Sequence, residues 1–245
     1  MRVGHNSHIG RVRKLNQDAY WVGTTMDDRV VLAIADGLGG HRAGEVASQM
    51  MVDAIAELAE ESAWLDVDAL KKSWIKNIHL ANRHIYLKGR SEERLSGMGT
   101  TLTMMIQSGP ILSVFHAGDT RLYRLRDGSL KKLTRDHSMV ETLLEAGEIT
   151  PEEAKTHPKR NMLMQAIGTD ERVELDVFDL EWIQGDVYLL CSDGLTNYVE
   201  ESTIRDILMT TADPVLCVEQ LIDAANAQGG GDNITAIIYE PEVVA

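Results

Sequence analysis

The stretch "VVLAIADGLGGH" (residues 30–41) runs six apolar residues straight into an aspartate, and then into a glycine-rich corner. The apolar run reads as a buried strand, and its odd feature is a carboxylate at the end whose next neighbours have almost no side chains. Residues 19–24 and 29–35 are two β-prone runs around "TMDD" (25–28), which is the pattern of a hairpin. In that hairpin, positions summing to about 54 face each other, so Asp18 at the start of one strand lies opposite Asp36 at the end of the other.

Other carboxylates follow the same pattern. Asp193 is expected to end the apolar strand "DVYLLCSDG", and Asp232 to begin the last strand after three glycines. Asp119 sits in the tight "AGDT" corner. Antiparallel neighbours bring the end of one strand beside the start of the next, so Asp18, Asp36, Asp193 and Asp232 are expected at one edge, with Asp119 in reach of it. Two unit charges about 4 Å apart repel by roughly 4 kcal/mol at an effective dielectric near 20, so such a rim needs a positive partner. No arginine or lysine stands beside Asp36, Asp193 or Asp232 in sequence. Bound divalent ions would turn repulsion into ligation, and an all-oxygen donor set favours Mg²⁺ or Mn²⁺ over zinc. A single Asp-Gly pair is commonly only a turn, but three such carboxylates bordering long apolar strands favour the metal reading. The glycine at 37 is expected to let a backbone carbonyl approach an ion, and Gly39 and Gly40 to turn the chain away.

Around this rim the periods alternate. Apolar residues at helical spacing mark a helix from Ala43 to Leu58 and a second from Val67 to Leu87. "TTLTMMI", "ILSVFHA" and "TRLYRLR" read as three strands joined by "QSGP" and "GD" into an antiparallel meander. Residues 135–161 combine the helical "MVETLLEAG" with "TPEEAKTHPKRN", read as an exposed, mobile flap. Strands near 173–180 and 186–191, helices at 200–209 and 214–227, and the strand "ITAIIYE" complete the chain. Strand clusters interrupted by helix pairs, with hairpin connections, indicate an α+β layered sandwich of antiparallel sheets, and residues 1–245 are read as a single domain.

Composition narrows the function. The 24 basic and 38 acidic residues leave a net charge of −14, which repels nucleic acid and anionic membrane. No segment has the ~18 consecutive apolar residues of a membrane span and the N-terminus lacks a signal-peptide core, so a cytoplasmic protein is expected. The two cysteines, Cys191 and Cys217, read as buried thiols in a reducing compartment. "GGHRAGE" (39–45) has phosphate-loop glycine spacing but places Glu45 where a lysine is needed. Neither cysteine is followed six residues later by arginine, since Asn197 and Asp223 stand there. His79 and His84 are five apart on a helix and read as surface residues. Without coiled-coil heptads, a monomer is the expectation.

The motifs "GRVRKLNQDAY", "ADGLGGH", "GMGTTLT", "HAGDTRLYRL", "LLCSDGLTNYV" and "GGGDNITAII", in this order, resemble those of bacterial metal-dependent protein phosphatases of the PPM (protein phosphatase 2C) family. The resemblance spans roughly residues 4–240 and implies a four-layer αββα sandwich hydrolysing phosphoserine and phosphothreonine in proteins, opposite a bacterial protein kinase. It implies that Asp36 bridges two Mn²⁺ or Mg²⁺ ions, that the Gly37 carbonyl completes one site, and that Asp193 and Asp232 hold the other. Asp119 would help bind a third ion, Asp18 would orient the attacking water, Arg13 would grip the substrate phosphate, and Asn233 would brace the metal shell. Two departures stand out: Leu38 occupies the place of a histidine proposed as general acid in animal members, with His41 three residues on, and Gln17 replaces a glutamate of eukaryotic members. Lys159 and Arg160 on the flap read as a solvated charge pair or as phosphopeptide contacts. The alternative to an enzyme is a catalytically silent regulator that binds a phosphoprotein; a third reading is hydrolysis of small phosphate esters.

Overall fold

The computed structural model describes residues 2–39, 43–61 and 65–242. Residues Arg2–His8 form β1, Asp18–Thr24 β2 and Val30–Leu38 β3, followed by helices α1 (Ala43–Glu61) and α2 (Val67–Ser91). Next come β4 (Gly99–Thr100), β5 (Leu102–Ser108), β6 (Ile111–Ala117), β7 (Arg121–Arg126) and β8 (Ser129–Lys132). Helices α3 (Met139–Glu145) and α4 (Pro151–Thr156) precede β9 (Asp176–Glu181) and β10 (Val187–Cys191). The short α5 (Asp193–Thr196), α6 (Glu201–Thr210), α7 (Pro214–Ala227) and β11 (Ile234–Glu240) end the chain.

Pairing gives one sheet in the order β1-β11-β10-β7-β8 and another in the order β2-β3-β5-β6-β9, with β4 appended to β3. All pairs are antiparallel. The apolar run that opens at residue 30 is continuous because both its faces are covered. Val31, Ala33 and Ala35 pack under α1 and α2, while Leu32 and Ile34 meet the opposite sheet. β11 divides in the same way, sending Ile234, Ala236 and Ile238 toward α6 and α7, and Ile237 and Tyr239 into the space between the sheets. The layers are therefore helix, sheet, sheet, helix. Trp74, Tyr123, Tyr188 and Phe115 are fully buried among them, each burial stabilising by roughly 1.5–3 kcal/mol. Cys191 and Cys217 are buried and free, and His79 and His84 are exposed, as expected. Among the described residues, no helix is long and apolar enough to cross a membrane.

Several expectations are corrected. The three runs 100–106, 111–117 and 120–126 are not a meander: β5 pairs β6, but β6 pairs β9, and β7 pairs β8 and β10 in the other sheet. The "GD" corner carries the chain between sheets, with Gly118 at φ +116 and its hydrogens against Thr101, where a Cβ would lie 2.6 Å from side-chain carbons. β1 is a polar edge strand that the apolar pattern does not reveal; a Cβ at Gly4 would stand 2.1 Å from the Pro214 carbonyl oxygen, so α7 lies directly on it. Within the flap, "TPEEAKT" is helix α4, begun by a capping box between Thr150 and Glu153 with Pro151 in its first turn.

Candidate active site

The hairpin register is the expected one, with Asp18 opposite Asp36. Thr101 fixes Asp36 from the neighbouring strand: its hydroxyl accepts the Asp36 N–H at 2.9 Å, and its own N–H donates to the Asp36 carbonyl at 2.9 Å. The other sheet supplies Asp193 and Asp232, so the carboxylate rim straddles the two sheets. Asp193 does not end β10; it opens α5 one residue past Ser192, and Asp232 lies two residues before β11. A Cβ at Gly194 would come within 1.8 Å of the Asn233 carbonyl oxygen, so only glycine lets these two segments touch. At Gly37 the reason for glycine is partly different from the expected one: a Cβ there would meet the Gly44 carbonyl oxygen of α1 at 2.2 Å. Gly39 makes the turn at φ +130, whereas Gly40 and His41 lie outside the described residues.

The electrostatics show the five carboxylates facing one another. Burial, then repulsion from Asp18, Asp193, Asp119 and Asp232, pushes Asp36 well above the usual carboxylate range. Burial, then Asp193, does the same to Asp119. Asp193 is raised by burial and Asp232, against donation from Asn197 at 2.9 Å and with the Asp36 side chain in hydrogen-bonding reach. Asp18 rises to about 6, mainly through burial, although Thr235 and Ser192 donate to it. Its Oδ1 is buried without a hydrogen-bond partner. Half-buried carboxylates with one buried, unpartnered oxygen are a donor set for a hard divalent cation. Among the described residues, no three His, Cys, Asp or Glu side chains already close on a single point as a finished ion cage does.

Two arginines, distant in sequence, supply positive charge. Arg13 donates to Asp232 at 2.8 Å from a half-exposed position at the rim, and its pKa is raised by that bond and by Asp36 and Asp193. Nothing in the sequence pattern marks Arg121. It opens β7 opposite Cys191, grips the buried Asp136 with two nitrogens at 2.6–3.2 Å, and offsets part of the upward shift of Asp119 and Asp193. Asn233 does not touch a carboxylate of the rim through its side chain; its Oδ1 accepts the Gln17 N–H, and its Nδ2 donates to the carbonyls of Ile9 and Leu15. It thereby clamps the loop that carries Arg13 into Asp18. The flap root grips the Asp119 corner: the His137 N–H donates to the Gly118 carbonyl at 2.7 Å, and the Gly118 N–H reaches His137 Nδ1 at 3.3 Å. Lys159 and Arg160 are exposed on the flap, and Leu38 is half-buried in β3.

The family model "Protein phosphatase 2C" matches residues 6–224. The serine/threonine phosphatase Stp of Listeria welshimeri is 40% identical over 241 residues, which cover 98% of this chain and 96% of that protein. The solved structure of Stp1 from Staphylococcus aureus superposes with a TM-score of 0.93 at 32% identity, covering 98% of this chain and 94% of that one. The catalytic domain of the phosphatase PstP, solved with two manganese ions, gives 0.86 at 37% identity, covering 98% of this chain and 97% of that one. With the family model matched along most of the sequence and these relatives along nearly all of it, the chain belongs to the protein phosphatase 2C family.

Proposed function

We propose that this chain hydrolyses phosphoserine and phosphothreonine in proteins at the rim formed by Asp18, Asp36, Asp119, Asp193 and Asp232. One observation carries the reading: carboxylates from five separate segments meet in a partly buried cluster that holds Asp18, Asp36, Asp119 and Asp193 above their ordinary proton affinity, and a half-exposed arginine faces it. A protein that only bound phosphoproteins would have no use for so repulsive a set, so the silent-regulator reading is disfavoured.

Asp36, the Gly37 carbonyl, Asp193 and Asp232 would hold two divalent cations, Mn²⁺ or Mg²⁺, and Asp119 with Asp193 would help hold a third. When bound, such ions supply Lewis-acid activation of a water and neutralise charge on the phosphate. Arg13, at the solvent edge, exchanges its bond to Asp232 for the substrate phosphate and neutralises charge that develops there. Asp18 orients the attacking water through its unpartnered Oδ1 and takes a proton from it. Asn233 keeps the loop bearing Arg13 in register with Asp18. No cysteine takes part, because both thiols are buried, and burial pushes Cys191 up to about 12 and Cys217 to about 11. We place the protein in the cytoplasm of a bacterium, as a monomer opposing a serine/threonine kinase.

The test is hydrolysis of p-nitrophenyl phosphate and a phosphothreonine peptide with Mn²⁺, with EDTA and Asp36→Asn as controls. Turnover of the peptide that both controls abolish is expected. Turnover that survives both would remove the metal-assisted reading, and turnover of the small ester without the peptide would move the substrate class to small phosphates.

A further inference from the structure

Asp18 is held by hydroxyl groups that the activity reading does not use. Ser192 Oγ stands 2.8 Å and Thr235 Oγ1 2.6 Å from the same oxygen, Oδ2, whereas Oδ1 has no partner. Both hydroxyl residues are fully buried. They are also tied to each other, since the Thr235 N–H donates to Ser192 Oγ at 3.0 Å and the Ser192 N–H to the Thr235 carbonyl at 3.0 Å. An ionised carboxylate only accepts, so each hydroxyl must spend its single proton on Asp18. That choice fixes the next link. Ser7 Oγ lies 2.7 Å from Thr235 Oγ1, across the β1–β11 pair where the two residues are register partners, and with the Thr235 proton committed Ser7 must be the donor. Asn16 Nδ2 in turn donates to Ser7 Oγ at 2.8 Å. The protons therefore run one way, from Asn16 through Ser7 and Thr235 to Asp18.

We propose that Thr235, Ser192 and Ser7 are positioning residues for Asp18: their aligned hydroxyls lock Oδ2 as a pure acceptor and leave Oδ1 as the oxygen that receives the proton of the attacking water. The arrangement joins the sheets at the site, because Asp18 lies on β2 while Ser7, Ser192 and Thr235 belong to or border strands of the other sheet. Strand-borne donors hold a carboxylate more tightly than loop-borne ones, and a fixed carboxylate offers one lone-pair direction rather than a range. The inference rests on the reading of Asp18 as the residue that orients the water.

The experiment compares Thr235→Val, Thr235→Ser, Ser192→Ala, Ser7→Ala and Asp18→Asn by kcat and KM on p-nitrophenyl phosphate, with Mn²⁺ binding to each protein measured by calorimetry. Thr235→Val, which keeps shape and loses the donor, is expected to lower kcat about ten- to a hundredfold, the range for a hydrogen bond to a charged group, with KM and Mn²⁺ affinity close to wild type. Thr235→Ser is expected to restore most of kcat. Ser7→Ala acts through Thr235 and also frees Asn16, whose Oδ1 accepts the Asp18 N–H at 3.2 Å, so most of its smaller loss, though not all, disappears in the Thr235→Val background. Normal kcat in Thr235→Val and Ser7→Ala, with Asp18→Asn inactive, overturns the positioning role, as do additive losses or losses confined to Mn²⁺ binding. If Thr235→Val does not fold, Ser192→Ala, which removes the other donor to Oδ2, decides together with Ser7→Ala, and normal kcat in both overturns the role. Full kcat in Asp18→Asn would instead bring down the underlying role of Asp18.

Discussion

Neutralising Asp18 should make the ion-free protein more stable while removing its activity. In Asp18→Asn the amide oxygen still accepts from Ser192 and Thr235, and the amide nitrogen replaces the unpartnered Oδ1 among carboxylates that repel it in the wild type. The rise of the Asp18 carboxyl from 3.8 to about 6 corresponds to about 3 kcal/mol at neutral pH. A native value above the unfolded one means that the folded protein binds the proton more tightly. This contribution to stability is thus fully present below pH ~3.8 and lost as pH rises through about 6. The asparagine variant does not suffer that loss. Its advantage over wild type should therefore open between about pH 4 and 6 and reach up to ~3 kcal/mol near neutral pH. In a chain of this length that is a rise in Tm of up to about 10 °C. Urea unfolding and thermal melts in EDTA, from pH 4 to 8, read it directly. Equal stability of the two proteins at pH 7.5, or an advantage that does not change with pH, would refute the claim that Asp18 is held against its preferred protonation state.

Two further outcomes follow from the same geometry. Arg121→Met leaves the buried Asp136 with Lys132 alone, at 3.3 Å, and should cost about 1–3 kcal/mol in urea unfolding, with much of it recovered in the double variant Arg121→Met/Asp136→Leu. Gly10→Ala places a Cβ 2.1 Å from the Asp232 carbonyl oxygen at φ +81, so it should weaken Mn²⁺ binding by calorimetry at least about tenfold while circular dichroism stays native.

The first hairpin, the two long helices and the convergence of carboxylates could all be read from the sequence, because period and register act locally. Asp18 and Asp36 are set opposite each other by a turn only a few residues long. What escaped is set by distant partners. Strand alternation marks β6 and β7 as strands but does not say that they belong to different sheets, since both faces of each are buried and Gly118 lets the chain cross. β1 has too few apolar positions to announce itself, being an edge strand with one face under α7. Helix α4 is short, and the polar composition around its capping box hides it within the flap. Arg121, Ser192, Thr235 and Ser7 are ordinary residue types whose importance comes from neighbours far along the chain; Ser192 and Asp18 are 174 positions apart.

A rim divided between two sheets makes the middle of the sandwich a spacer. Asp18 and Asp36 travel with one slab and Asp193 and Asp232 with the other, so the thickness of the filling between them, made by Leu32, Ile34, Leu190 and Ile237, sets how far the reacting groups stand apart. Methyl groups deep in the interior, touching no phosphate and no ion, thus act as shims that tune the gap across which the chemistry is done.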